Sequence, residues 1–212
     1  NRAEAPIVPH DLFQRIDESP DGLFYSNPRF VTHIDDATIT ALTNFYSEIL
    51  FTEADVLDLM SSWISHLSAE PKLGRVAGLG LNKSELENNA RLTEHCVQDL
   101  NRITTLPYQS NSFDFVFIAV SIQYLVHPFE IFSEIARLLR TDGQIVVSMS
   151  HRCFPTKAVR AFRESDLNQR ISIVGQYMER ARKFSVYEFI DRSPVGADPL
   201  WIVRARRRDN ND

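Results

Sequence analysis

Val56-Leu57-Asp58-Leu59-Met60-Ser61-Ser62-Trp63-Ile64-Ser65-His66-Leu67 reads as a short buried strand, a sharp turn and a helix. A little further on, Arg75-Val76-Ala77-Gly78-Leu79-Gly80 reads as a second strand. Two short apolar strands with a crossover between them make a parallel βαβ unit. In such units ligands bind at the carboxyl end of the first strand, where it turns into its helix. Asp58 to Ser65 sits at that place, so what this turn can hold decides what the fold can do.

Before this unit, residues 1–34 are irregular, broken by Pro6, Pro9, Pro20 and Pro28. Phe24, Phe30 and Ile34 suit an arm packed across the domain surface. Tyr25, Arg29 and His33 suit a lid whose polar groups face a pocket, and both readings stay open. Asp35 or Asp36 can cap a helix in which Ile39, Leu42, Phe45, Tyr46, Ile49 and Leu50 recur at helical spacing.

After the unit, Ser84-Glu85-Leu86-Glu87 is a capping-box pattern that starts a helix to about Leu92. His95 to Asp99 reads as a third strand. Phe113 to Val120 is the most apolar strand, as expected for the middle of a parallel sheet. Pro128 opens a helix at a position where its missing N–H costs nothing, and Thr141-Asp142-Gly143 ends it. Gln144 to Ser150 reads as a fifth strand. Pro155 to about Phe162 and Asp166 to about Ala181 read as helices, and Ser185–Ile190 and Leu200–Ala205 as two last strands.

Helices alternating with strands predict an α/β fold, Rossmann-like and doubly wound, with a mostly parallel seven-stranded sheet ending in an antiparallel pair. Val56–Leu59, Val116–Ala119 and Ile145–Val147 are expected as its central strands. The expected organisation is an N-terminal arm over 1–35, a domain over 36–205 and a polar tail over 206–212, where Arg206-Arg207-Arg208 reads as solvated.

Composition narrows the classes. With 212 residues, 43% hydrophobic and 24% charged, the chain is neither disordered nor built to span a bilayer. A formal net charge of −5 argues against a general nucleic-acid binder. Cys96 and Cys153 form neither a disulfide framework nor a zinc pattern. A reducing compartment is the simpler expectation, cytoplasm or plastid stroma.

The order of parts resembles the class I S-adenosylmethionine-dependent methyltransferases over roughly residues 36–205. Asp99, Leu106-Pro107 and Ser112-Phe113-Asp114-Phe115-Val116 are similar to the family's "D…LP…SFD-V" stretch. Ile131 to Arg140 followed by Asp142-Gly143-Gln144-Ile145 is similar to its "E-x-x-R-x-L-K-P-G-G" stretch, with Thr141-Asp142 in place of Pro-Gly. Leu57 to Trp63, Arg29 to Asp35 and Arg152-Cys153-Phe154-Pro155 resemble a divergent branch found in cyanobacteria, algae and plants.

Two departures stand out. The family's first turn is Asp/Glu-x-Gly-x-Gly-x-Gly. Here Asp58 stands, but Met60, Ser62 and Ile64 occupy the glycine places. Either serine hydroxyls replace backbone contacts in a reshaped cofactor site, or the pocket is closed, with Ser61 or Ser62 only capping a helix. The family's ribose-binding acid would fall at Gly80, which leaves Asn82 and, more weakly, Glu85. The resemblance implies S-adenosylmethionine as cofactor, bounded by Asp58, Leu59, Met60, Ser61, Ser62, Asn82, Asp99, Leu100, Asn101, Val120 and Ser121, with Asp99 accepting the adenine amino group.

Methyl transfer is a displacement in which alignment supplies most of the rate, and a base helps where the nucleophile carries a proton. His33, Tyr124 and His151 are the candidate bases. Tyr25, Arg29 and Arg152 are candidate contacts to a small-molecule acceptor, and Cys153 reads as packing. The competing expectation is a methyltransferase fold whose catalytic site has decayed into a binding or assembly module, with a protein as partner.

Overall fold

The computed structural model describes residues 10–208. Seven strands form one sheet in the order β3-β2-β1-β4-β5-β7-β6. They are β1 (Val56–Leu59), β2 (Val76–Gly80), β3 (Glu94–Val97), β4 (Phe113–Ala119), β5 (Leu139–Met149), β6 (Glu188–Asp191) and β7 (Trp201–Arg206). The first five run parallel, while β7 pairs antiparallel with both β5 and β6. The expected centre, β1, β4 and β5, lies at the middle of the sheet, and the closing pair is antiparallel as expected.

Alternation along the strands divides the core between two faces. Phe115 and Phe117 of β4 pack with Leu42, Phe45 and Tyr46 of α2 (Asp36–Ile49), and the Tyr46 ring stacks on Phe117 at 4.1 Å. Val116 and Ile118 pack with α4 (Pro128–Leu138) and α6 (Leu167–Ala181) through Phe132, Ile135, Val174 and Met178. Helices on both faces explain why the central strands are continuous apolar runs. Asp35 caps α2 by accepting from Thr38 N, and Asp166 with Gln169 forms a capping box on α6.

Several expected elements differ. No helix follows β1: residues 60–75 run as a loop, because the Ser61 and Ser65 hydroxyls bind Asp58 instead of capping a helix. The next helix is α3, Lys83–Glu87, shorter than expected and capped by Asn82 rather than Ser84. Thr141-Asp142-Gly143 lies inside β5, since α4 already ends at Leu138. Between Pro155 and Phe162 only a single turn forms, α5 (Arg160–Arg163).

The arginine run is tied down by its backbone and by Arg207, while the Arg206 and Arg208 side chains are exposed as expected. Arg206 ends β7, Arg207 N donates to Gly143 O at 2.7 Å, and Arg207 Nη1 donates to Leu139 O. Residues 209–212 of the expected tail and 1–9 of the expected arm lie outside the described residues. Among the described residues no helix is long and apolar enough to cross a membrane.

Candidate functional site

A cavity of about 320 Å³ opens at the carboxyl ends of the five parallel strands, where doubly wound sheets hold ligands. The walls come from the turns after β1 to β5 and from the arm, whose short helix α1 spans Asp21–Phe24.

Its floor is Asp58, buried to 4% exposure on β1. The Ser61 and Ser65 hydroxyls each donate to Asp58 Oδ2 at 2.6 Å. Burial nevertheless pushes the Asp58 carboxyl up to about 6 against those two hydrogen bonds. Met60, at the first of the family's glycine places, takes φ 61, the left-handed conformation glycine would supply there. Its side chain lines the cavity and packs against the core edge. Leu59 points elsewhere: it is fully buried in the core and is not a wall residue.

The end of β2 explains the missing ribose acid. Ser61 N bonds to Leu79 O at 2.7 Å, which lays the Ser61 backbone over Gly80. A Cβ on Gly80 would stand 2.1 Å from Ser61 O, so no side chain fits there. Asn82 and Glu85 line the cavity but are engaged. Asn82 Oδ1 caps α3, and its Nδ2 donates to Tyr25 O and Ser26 O. Glu85 accepts from Arg29 N at 2.7 Å and from Ser62 Oγ at 2.7 Å.

At the ends of β3 and β4, Asp99 Oδ1 accepts from Asn101 N in a local turn. Leu100 is buried beside it. The Asn101 side chain is spent on bonds to Asp21, Tyr124 O and Val126 N. Val120 takes φ 46, an outlier for a β-branched residue, where β4 meets the cavity. Ser121 follows with its buried Oγ lacking a partner.

From above, the arm contributes Tyr25, Arg29 and His33 to the lining. Besides the Asn82 and Glu85 bonds, Trp63 Nε1 donates to Val31 O and the fully buried Lys157 pairs with Asp17 and Asp21. Of the arm's expected packing residues, Ile34 is buried and Phe30 sits exposed against Trp63.

The candidate bases separate. His33 lines the cavity, and burial holds its imidazole below the ordinary value, leaving it neutral near pH 7. Tyr124 lines it too, but burial pushes its phenol up to about 12, and its oxygen accepts from Phe154 N. It is therefore placed to hold the loop after β5 rather than to take a proton. His151 is not a wall residue: it is exposed beside Asp198 at 3.4 Å. Arg152 lines the rim, but its Nε pairs with Asp198 at 2.7 Å.

His66 escaped the sequence reading. It is 9% exposed, takes φ 55, and lines the cavity with an unpartnered Nδ1. Burial, with His33 adding to it, draws its imidazole down to about 4. The signal available was a histidine in the turn after β1, which periodicity does not distinguish from a core residue.

The residues present fit S-adenosylmethionine at two of its three ends. Ser121 Oγ and the second oxygen of Asp99 can meet an adenine, and the polar β1 turn can meet an amino-acid group. The ribose end has no acid at 80, and Glu85 serves it only by sharing the carboxylate that holds Ser62 and the arm.

Residues 61–147 match the model of a methyltransferase domain family. No curated protein matches. Among solved structures, one similar chain is that found in complex with the Haloferax volcanii Trm112 methyltransferase activator, at 13% identity and TM-score 0.60, with 83% of this chain and 92% of that one covered. Another is the [4+2]-cyclase SpnF, at 15% identity and TM-score 0.56, with 79% and 80% covered. A third is Haemonchus contortus phosphoethanolamine N-methyltransferase 2 with phosphomonomethylethanolamine and S-adenosylhomocysteine, at 16% identity and TM-score 0.58, with 82% and 53% covered. The strand order, the helices on both faces and the matched stretch give this chain the fold of the class I S-adenosylmethionine-dependent methyltransferases.

Proposed function

We propose that the chain is an S-adenosylmethionine-dependent methyltransferase acting on a small-molecule acceptor. One observation carries this reading: Asp58, Asp99 and Ser121 meet in one cavity, at the strand ends the fold uses for ligands, under an arm that encloses it. A volume of about 320 Å³ lies in the range of small-molecule sites.

Asp99 and Leu100 would hold the adenine, Asp58 with the Ser61–Ser62 turn the amino-acid end, and Glu85 with Asn82 the ribose. The cofactor supplies an electrophilic methyl on a sulfonium. The chain's task is then to align the acceptor and exclude water. The arm serves as a lid, with Tyr25 and Arg29 toward the acceptor. His33, neutral near pH 7, takes the proton where the acceptor has one to lose. A crystal structure with S-adenosylhomocysteine tests the reading: adenine is expected at Asp99–Leu100, and a ligand seated away from this cavity would overturn it.

The alternative is a methyltransferase-fold binding or assembly protein. It is favoured by a specific observation: Asn82, Glu85 and Asn101 all spend their side chains on holding the arm and neighbouring loops. Under that reading the cavity is a structural remnant and the partner is a protein.

A further inference from the structure

We propose that Arg29 and His66 form a subsite for an anionic oxygen group, a carboxylate or phosphate carried by the methyl acceptor. This deepens the methyltransferase reading and rests on it. Buried polar groups in folded proteins are almost always paired.

Every carboxylate in the lining has donors. Asp21 accepts from Arg15 and Asn101 and pairs with Lys157. Asp58 accepts from two serine hydroxyls, Glu85 from Arg29 N and Ser62, and Asp99 from Asn101 N. The nitrogens are different. Arg29 Nη1 and His66 Nδ1 are buried and have no partner. Arg29 Nη2 reaches only a neutral carbonyl, Phe24 O, at 2.8 Å. Among the described residues, no carboxylate forms an ion pair with its guanidinium.

A half-buried cation whose Nη1 is shielded from water and has no counter-charge is costly, yet this one is firmly held. Its guanidinium sits 4.6 Å from the Phe24 ring centroid and 5.4 Å from those of Tyr25 and Phe154. A planar fork fixed by aromatic faces with one edge unfilled is suited to an anionic oxygen pair. His66 lines the same cavity on a left-handed backbone, and its Nδ1 is buried there without a partner.

Placement favours the acceptor over the cofactor's own carboxylate. Arg29 stacks on Phe24 and Tyr25 of the arm and on Phe154 in the loop after β5. His33, the base proposed above, lies with its ring against the same Phe154. The anionic head and the proton-accepting group thus share one wall. The aromatic faces around them suit an acid with an apolar body.

The test titrates the whole chain, saturated with S-adenosylhomocysteine, with benzoate, phenyl phosphate and neutral benzamide. Benzoate or phenyl phosphate should bind at least about tenfold tighter than benzamide, and which of them does so tells carboxylate from phosphate. Arg29→Gln should abolish that preference while changing S-adenosylhomocysteine affinity by less than about threefold. Should Arg29→Gln loosen the fold, the wild-type His66 ring resonances decide: they should shift with the anions and not with benzamide. Equal binding of benzamide overturns the proposal. So does an Arg29→Gln effect on S-adenosylhomocysteine that is absent for 5′-methylthioadenosine, which lacks the carboxylate, because the pair would then hold the cofactor. Failure of S-adenosylhomocysteine itself to bind the wild type would instead count against the methyltransferase reading.

Discussion

Asp58 and His66 build opposite pH dependences of stability into one cavity. Burial pushes Asp58 from an ordinary 3.8 up to about 6, and draws His66 from 6.5 down to about 4. The folded chain keeps the Asp58 proton longer than the unfolded chain does. Its contribution is therefore full at low pH and is lost as pH rises from about 4 through about 6. The folded chain gives up the His66 proton earlier, so that contribution is present at neutral pH and is lost as pH falls from about 6.5 through about 4. At about 1.4 kcal/mol per tenfold change in proton affinity, each is worth on the order of 3 kcal/mol, and in the wild type the two slopes largely cancel. Asp58→Asn removes the falling slope, so its stability relative to wild type should climb by about 3 kcal/mol from pH 4 to pH 7. His66→Gln should show the reverse, a relative decline of similar size. His33 drops out of the Asp58→Asn difference, whereas His66→Gln also removes the coupling between the two imidazoles. Urea unfolding followed by circular dichroism at closely spaced pH values reads both. A difference for Asp58→Asn that stays flat across the window would refute the buried, proton-holding carboxylate.

Gly80→Ala places a Cβ against the Ser61 backbone, which cannot yield as a flexible side chain would, and should cost about 2–3 kcal/mol in urea unfolding; a change under about 0.5 kcal/mol would mean that the turn moves freely. Glu85→Gln weakens the acceptor shared by Arg29 N and Ser62 and should release the arm, seen as faster hydrogen exchange over residues 24–33; unchanged protection would show that the arm is held without it. Met60→Gly with Ser62→Gly relieves a left-handed residue worth about 1 kcal/mol and restores close backbone approach, so S-adenosylhomocysteine should bind more tightly than to wild type. An unaltered or weaker affinity would show that Met60 does not obstruct the site.

The sheet was legible because its signal is local and repeated. Phe113–Ala119 and the Val146 region are apolar runs that only a doubly covered strand needs, and the Asp35, Pro128 and Asp166 helix starts carry their own chemistry. The turn after β1 was less legible. A serine just past a strand looks the same whether it caps a helix or donates to a carboxylate. Here the burial of Asp58, a tertiary fact, drew Ser61 and Ser65 to it and left no helix. Asn82 and Ser84 were confused for a similar reason, since both can cap and only the backbone decides. The absence of an acid at Gly80 was visible, but its cause was not, because it lies in the Ser61 backbone crossing above. His66 and Val120 are left-handed without being glycine or asparagine, and no pattern in the sequence marks such positions.

Whether the cavity holds S-adenosylmethionine is tested most directly by calorimetric titration of the folded chain with S-adenosylhomocysteine, beside Asp99→Ala. The proposed site predicts saturable binding by the wild type, weaker than in glycine-rich relatives, and a further loss of roughly 1–3 kcal/mol in the variant, as for a lost buried acceptor. Tight wild-type binding would contradict the reshaped turn, and an unchanged affinity in Asp99→Ala would move the adenine elsewhere. No binding at all by a chain whose fold is intact would contradict the enzyme and leave the assembly protein.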